Sequence, residues 1–200
     1  MSIERIYWGI SPTMFRRTIS VALAALASAA CPGRESRSSA REAPGVQDTV
    51  FAGTTAPLLR LRPPPRAGAS PPAALLRSVT AAPGRGYDRV VFELASDSVP
   101  GYRVEYAAGP VRSCGSGDVV SVAGRERLVV HLEPARAHDD QGNPVPTQRD
   151  LVPGLPAVRE VKLVCDFEGQ LEWVLGLPAK QPYRVTELAG RLLLDVKQGP

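Results

Sequence analysis

The chain has 200 residues and a formal net charge of +4, with 44% hydrophobic residues, 20 prolines and three cysteines. That is enough for one domain plus extensions. From residue 75 onward 15 Lys and Arg meet 16 Asp and Glu, so the basic excess lies wholly before the folded part, which speaks against a nucleic-acid partner.

The amino terminus reads as an export signal. Residues 18–30, TISVALAALASAA, form an apolar run too short to span a bilayer, preceded by Arg16 and Arg17. The compact leader MFRRTISVALAALASAAC suggests Met14 as the functional start, and residues 1–30 are assigned to the signal peptide. Ser28-Ala29-Ala30-Cys31 resembles a bacterial lipobox, with Ser28 where Leu is usual, and makes Cys31 the expected lipid attachment point. The alternative is ordinary cleavage after Ala29 or Ala30, which would leave a soluble periplasmic or secreted protein. Residues 31–74, rich in Pro, Ser and Arg, lack sustained periodicity and read as a disordered tether.

A domain is expected over 75–200. Strands are predicted at 75–80, 118–122, 127–133, 159–167, 171–177, 183–188 and 191–197. Between the first two of these, residues 84–106, GRGYDRVVFELASDSVPGYRVEY, read as two strands joined by a short turn. Val90, Phe92 and Leu94 share one face of the first, and Tyr102, Val104 and Tyr106 share one face of the second. About eight short strands with brief loops and no helical period predict an all-β, antiparallel β-sandwich. Strand parity predicts two further hairpins. Pairing Phe167 with Leu171 across a three-residue loop aligns Cys165 with Trp173, and puts Cys165 on the core face. A two-residue turn at Ala189-Gly190 pairs Val185 with Leu194 and Tyr183 with Val196. It also sets Glu187 against Leu192, a conflict that a bulge or a sheet end near Leu188 would resolve.

Five separated segments stand out: Gly86-Tyr87-Asp88-Arg89-Val90-Val91-Phe92-Glu93, Pro100-Gly101-Tyr102-Arg103-Val104-Glu105-Tyr106, Ala137-His138-Asp139-Asp140, Asp166-Phe167-Glu168-Gly169 and Leu171-Glu172-Trp173-Val174-Leu175-Gly176-Leu177. Together they resemble the AMIN-like domain family. The closing Arg191-Leu192-Leu193-Leu194-Asp195-Val196 is similar to the last strand of the related AMIN domain. The resemblance covers about 75–198. It implies a non-catalytic envelope module, of the kind found with cell-wall amidases and type IV pilus secretins. The expected partner is then peptidoglycan or an envelope protein, with the membrane reached through a lipid anchor.

No cofactor is expected, and no catalytic set is visible. The most polar cluster, His138-Asp139-Asp140, offers the competing reading of an envelope hydrolase or metal-dependent enzyme. A single His supplies few ligands for zinc, and the spacing departs from a Ca²⁺ loop, so a solvated turn is the plainer reading. With Cys31 assigned to lipid, Cys114 and Cys165 remain as a candidate disulfide of an exported chain, which would also suit a periplasmic structural or interaction protein. Otherwise Cys165 is a buried apolar residue beside Trp173 and Cys114 is free. The candidate binding face is Arg89, Glu93, Arg103 and Glu105, on the polar parity of the 84–106 strands. An ordinary solvated sheet face is the alternative.

Overall fold

The alternation that runs through the sequence is realised as two facing sheets. The computed structural model describes residues 50–62, 72–146 and 148–199. Cys31, the leader and most of the proposed tether lie outside these residues. One sheet has the order β1 (Leu58–Arg60), β4 (Gly101–Tyr106), β5 (Glu126–Glu133), β9 (Gln170–Leu177), β8 (Glu160–Phe167) and β7 (Asp150–Leu151). The other runs β10 (Tyr183–Leu188), β11 (Arg191–Lys197), β3 (Tyr87–Leu94), β2 (Ala74–Pro83) and β6 (Ala135–Arg136). Neighbours are antiparallel except β2 and β6. Among the described residues there is no helix, so the chain is an all-β sandwich.

The core lies between the sheets. Val90, Phe92 and Leu194 from one meet Val104, Leu128, Val130 and Trp173 from the other, all buried. Trp173 meets Phe92 edge to face, with ring centroids 6.2 Å apart. The compact unit Asp48–Pro200 contains this whole core, the build of a domain that can fold alone.

Four expectations are corrected. First, β3 and β4 are not a hairpin. Their apolar faces are assigned correctly, but residues 95–100 carry the chain from one sheet to the other, and β3 pairs with β2 and β11 while β4 pairs with β1 and β5. Second, residues 118–122 do not form a strand. They belong to a long loop, held by an isolated bridge between Arg112 and Val119. Third, the β8–β9 turn has two residues, Glu168 and Gly169, both at positive φ (50° and 78°). That turn sets Phe167 against Gln170 and Asp166 against Leu171, and a bulge between Leu163 and Cys165 sets Leu163, in place of Cys165, against Trp173. The bulge also places Cys165 opposite Glu172, on the outer face.

Fourth, part of the presumed tether is built into the domain. β1 pairs Leu58 with Val104, and Leu58 packs against the core. Thr54 bridges Tyr183 of the other sheet, whose hydroxyl lies 2.6 and 2.7 Å from the Ala56 and Val104 carbonyl oxygens and donates its one proton to either. Residues 50–62 thus lace the β4 edge of one sheet to the β10 edge of the other. Their apolar islands Phe51 and Leu58 supply burial that a solvated tether has no use for.

In the last hairpin Val185 pairs with Leu194, Tyr183 with Val196 and Glu187 with Leu192, in unbroken register up to the end of β10 at Leu188. Glu187 is accommodated by polar partners at this edge. It accepts from the Tyr102 hydroxyl at 2.9 Å and pairs with Arg60 at 3.3 Å and Arg62 at 3.1 Å. Burial first, and then Glu187, push Tyr102 up to about 12.

Candidate functional site

The sandwich has two outer faces, and the candidate binding residues divide between them. Arg89 and Glu93 lie on β3, Arg103 and Glu105 on β4, so the structure does not bring the four together. The reason is the sheet-to-sheet crossing at 95–100: equal polar parity on two strands defines one face only when the strands share a sheet.

The outer face of the six-stranded sheet is covered. The loop of residues 107–125 folds across it and buries Val111 and Val122 against Val164 and Val174, with Val120 and Val129 alongside. Cys114 in this loop is disulfide-bonded to Cys165 of β8, with Cα atoms 5.2 Å apart. Glu160 anchors the far end of the loop, accepting from the Ala123 N–H at 2.5 Å while pairing with Lys162 at 2.5 Å. Gly176 makes the contact possible, since a Cβ there would lie 1.8 Å from the Ala123 carbonyl oxygen. Arg103 and Glu105 pair with each other beside this cover, at 3.0 Å. His131 stands between Glu133, 3.3 Å from Nε2, and Glu172, 3.7 Å from Nδ1. Glu172 raises its pKa, burial opposes this, and Glu133 adds to the rise.

The outer face of the five-stranded sheet has no such cover among the described residues. At one end Asp195, 1% exposed, receives Arg89 through Nε at 2.6 Å and Nη2 at 2.9 Å, and Arg184 at 2.5 Å. Burial by itself pushes the Asp195 carboxyl up, but the two guanidiniums outweigh it and hold the group below the usual carboxylate range. Arg184 also lies over the Phe51 and Tyr87 rings, at 5.0 and 5.7 Å, and Arg89 over Tyr87 at 5.2 Å. At the other end Glu93 accepts from Ser78 at 3.0 Å and from Arg191 at 3.4 Å. Between these networks Val91 and Leu193 form a cross-strand apolar pair, with exposed Thr80 and Thr186 opposite them on the flanking strands.

Sequence reasoning missed Arg184, Arg191 and Asp195 on this face, because they sit on strands far from β3 in sequence. It also missed the role of Asp88, and there a signal existed. Asp88 shares the parity of Val90, Phe92 and Leu94, so it points inward. Fully buried, it accepts the Ala157 and Val158 N–H groups at 2.5 and 2.9 Å and the Gln198 side chain at 2.7 Å. The aspartate of the Gly86-Tyr87-Asp88-Arg89 segment therefore ties the 157–158 loop and the carboxyl-terminal end to β3.

His138, Asp139 and Asp140 do not converge. His138 Nδ1 meets Asp166 at 2.9 Å, Asp139 accepts three hydrogen bonds from Gln141 and Asn143, and Asp140 pairs with Arg136 at 2.6 Å. Asp166 is in turn held by Arg149 and the Ala137 N–H. Among the described residues no three His, Cys, Asp or Glu side chains group to hold a metal ion. A groove of about 660 Å³ opens at the same end of the sandwich, between the start of β2, the 95–100 connection and Pro134.

A two-sheet sandwich that packs one outer face and, among the described residues, leaves the other without a covering loop has the build of a binding module. The AMIN-like domain model matches residues 74–198, and the chain belongs to the AMIN-like domain family. It is on that basis a cell-envelope module, in a family of generally non-catalytic binding domains. β1 and Thr54 lie outside the matched residues. No curated protein and no solved structure matches the chain.

Proposed function

We propose that this protein is a membrane-tethered lipoprotein, anchored through Cys31, whose sandwich binds peptidoglycan without catalysing its cleavage. The observation that carries the reading is the asymmetry of the two faces in a family of envelope modules. The five-stranded sheet presents Arg89, Arg184, Arg191, Lys197 and Glu93, over buried Asp195 and Leu193 and half-buried Val91. Such a surface suits a polymer that carries carboxylates on peptide stems beside apolar sugar faces.

The test is co-sedimentation of residues 48–200 with purified cell-wall sacculi. Thr80→Glu with Thr186→Glu places two carboxylates on this face at exposed positions, and should weaken retention about tenfold or more without moving the melting temperature. Undiminished retention by the double variant would remove the face from the reading. Failure of the unaltered domain to sediment, with capture of one envelope protein instead, would make the partner a protein. Release of soluble wall fragments, lost on His138→Ala, would support the enzyme reading, for which the His138–Asp166 pair is the one specific observation.

A further inference from the structure

The two ends of the strands differ in charge. At the end where β2 turns into β3 and β9 leads on to β10, Arg85, Arg125, Arg159, Lys180 and Lys197 are all exposed. Backbone hydrogen bonds fix them there. The Gly84 N–H meets the Tyr87 carbonyl beside Arg85, Arg125 and Arg159 donate to Leu177 and Gly176 at 2.8 Å, and Lys197 donates to Pro182 at 2.9 Å. Most carboxylates of this end are withdrawn from solvent: Asp88 is fully buried, Glu160 is 6% exposed and bound to Lys162, and Asp195 is shared by two arginines, while Asp150, 49% exposed, is paired with the same Lys162. Glu126 is half-buried. At the opposite end Asp97, Glu133, Asp140 and Glu168 stand exposed among the arginines.

The chain also enters the fold at the basic end. Val50 is 88% exposed, the Phe51 ring lies 6.1 Å from Tyr87, and Thr54 bridges Tyr183. Gln198 returns there, its N–H donating to the Gly86 carbonyl at 2.9 Å. Eighteen residues lie between Cys31 and Val50, a length that spans at most about 65 Å even fully extended. A lipid on Cys31 would therefore tether the domain through this end rather than the acidic one.

We propose that the basic end is a docking base for an anionic lipid surface. The cations sit on loop tips and strand ends of several separate elements, a spread that fits a planar field of phosphates better than a threaded polymer. Basic residues near such a surface add their attractions, and salt screens them. The orientation argument rests on the membrane-tethered reading above; the docking chemistry does not need the wall ligand. With its base on the membrane, the domain would turn its acidic end and the 660 Å³ groove outward.

The experiment uses residues 48–200, which carry no lipid, with vesicles of phosphatidylcholine alone or mixed with phosphatidylglycerol. Binding to the mixed vesicles only, abolished by about 0.5 M salt, is expected. Arg85, Arg125 and Arg159 make no side-chain hydrogen bond or ion pair with another described residue, so their reversal spares the fold. Arg85→Glu with Arg125→Glu and Arg159→Glu should cut partitioning about a hundredfold or more, at roughly fivefold for each charge removed and more for each reversed. Thr80→Glu with Thr186→Glu should leave vesicle binding largely intact, which separates this proposal from the wall-binding face. Equal binding to neutral vesicles, or undiminished binding by the triple variant, would overturn the base. So would triple-variant loss of sacculus retention in a protein that never binds vesicles, which would give the same charges to the wall.

Discussion

The two outer faces are built from the same alternating strands, yet they have opposite fates. On the six-stranded sheet the residues that point outward include Val129, Val164 and Val174, and the chain spends a loop and a disulfide to cover them. On the five-stranded sheet the outward residues include Arg89, Arg184, Asp195, Glu93 and Arg191, which pair among themselves, so water can stay. The difference teaches where stability and recognition are separated. Substitutions on the covered face should unfold the domain, whereas solvent-facing substitutions on the open one should change what it holds.

The largest test of that division is the staple. The bond joins residues 51 apart, and in the chain-entropy model removing it costs about 4 kcal/mol. Cys114→Ser with Cys165→Ser should therefore lower the thermal midpoint sharply, measured by calorimetry against the oxidised domain. Next comes Gly176→Ala. The added methyl would collide with a backbone carbonyl and not with a movable side chain, so relief requires lifting the loop. A loss of about 3 kcal/mol in urea denaturation is expected. A near-neutral result would mean that the loop does not press on β9. By comparison Thr186→Ala on the open face should fall within about 0.5 kcal/mol of the parent.

The division between faces was only partly legible in the sequence. Alternation is a property of one strand, and it correctly turned Val90, Phe92, Leu94, Tyr102 and Val104 inward. It says nothing about which strand is the neighbour, so the six residues from Ala95 to Pro100 looked like a hairpin turn when they are a crossing between sheets. Val120 and Val122 alternate as a strand would, but they serve as the underside of a cover. The bulge at Val164 moves Cys165 to the outer face, and parity counting has no means of seeing an inserted residue. β1 was lost because three residues cannot show a period, although the apolar island at Leu58 to Leu61 marked the place. The buried carboxylates fared differently. Asp88 announced itself by its inward parity, while Asp195 lies on the outer parity and is buried only because Arg89 and Arg184 close over it.

That closure makes Asp195 the exception on the open face, and a sharper probe of it. Asn at position 195 keeps the shape but leaves two guanidiniums without their counter-charge. Each arginine is more than a third exposed, so water relieves part of the loss, and a cost of about 2 kcal/mol is expected. The pH dependence identifies the cause. The folded pKa of Asp195 is depressed, so its contribution is complete above the unfolded value of about 3.9 and is lost as the pH falls through the lower folded value. The gap between parent and Asp195→Asn should be constant from neutrality down to about pH 5 and close below about pH 4.

His131 beside the cover gives a smaller effect than Asp195 and the opposite sign. Its folded pKa is raised, chiefly by Glu172, so the stability it contributes is fully present below the unfolded value of about 6.5. That contribution is lost as the pH rises through the folded value. Arg103, its cross-strand neighbour, works against the rise, and Glu133 is largely exposed, so the gain should stay below about 1 kcal/mol. Urea midpoints of the parent and His131→Gln should differ at about pH 5.5 and converge by about pH 9. Acid therefore weakens the open face through Asp195, and alkali weakens the covered face through His131. If the His131→Gln gap instead held constant across that range, the imidazole would be contributing packing rather than charge, and the covered face would be held by its valines, its disulfide and the Glu160 anchor.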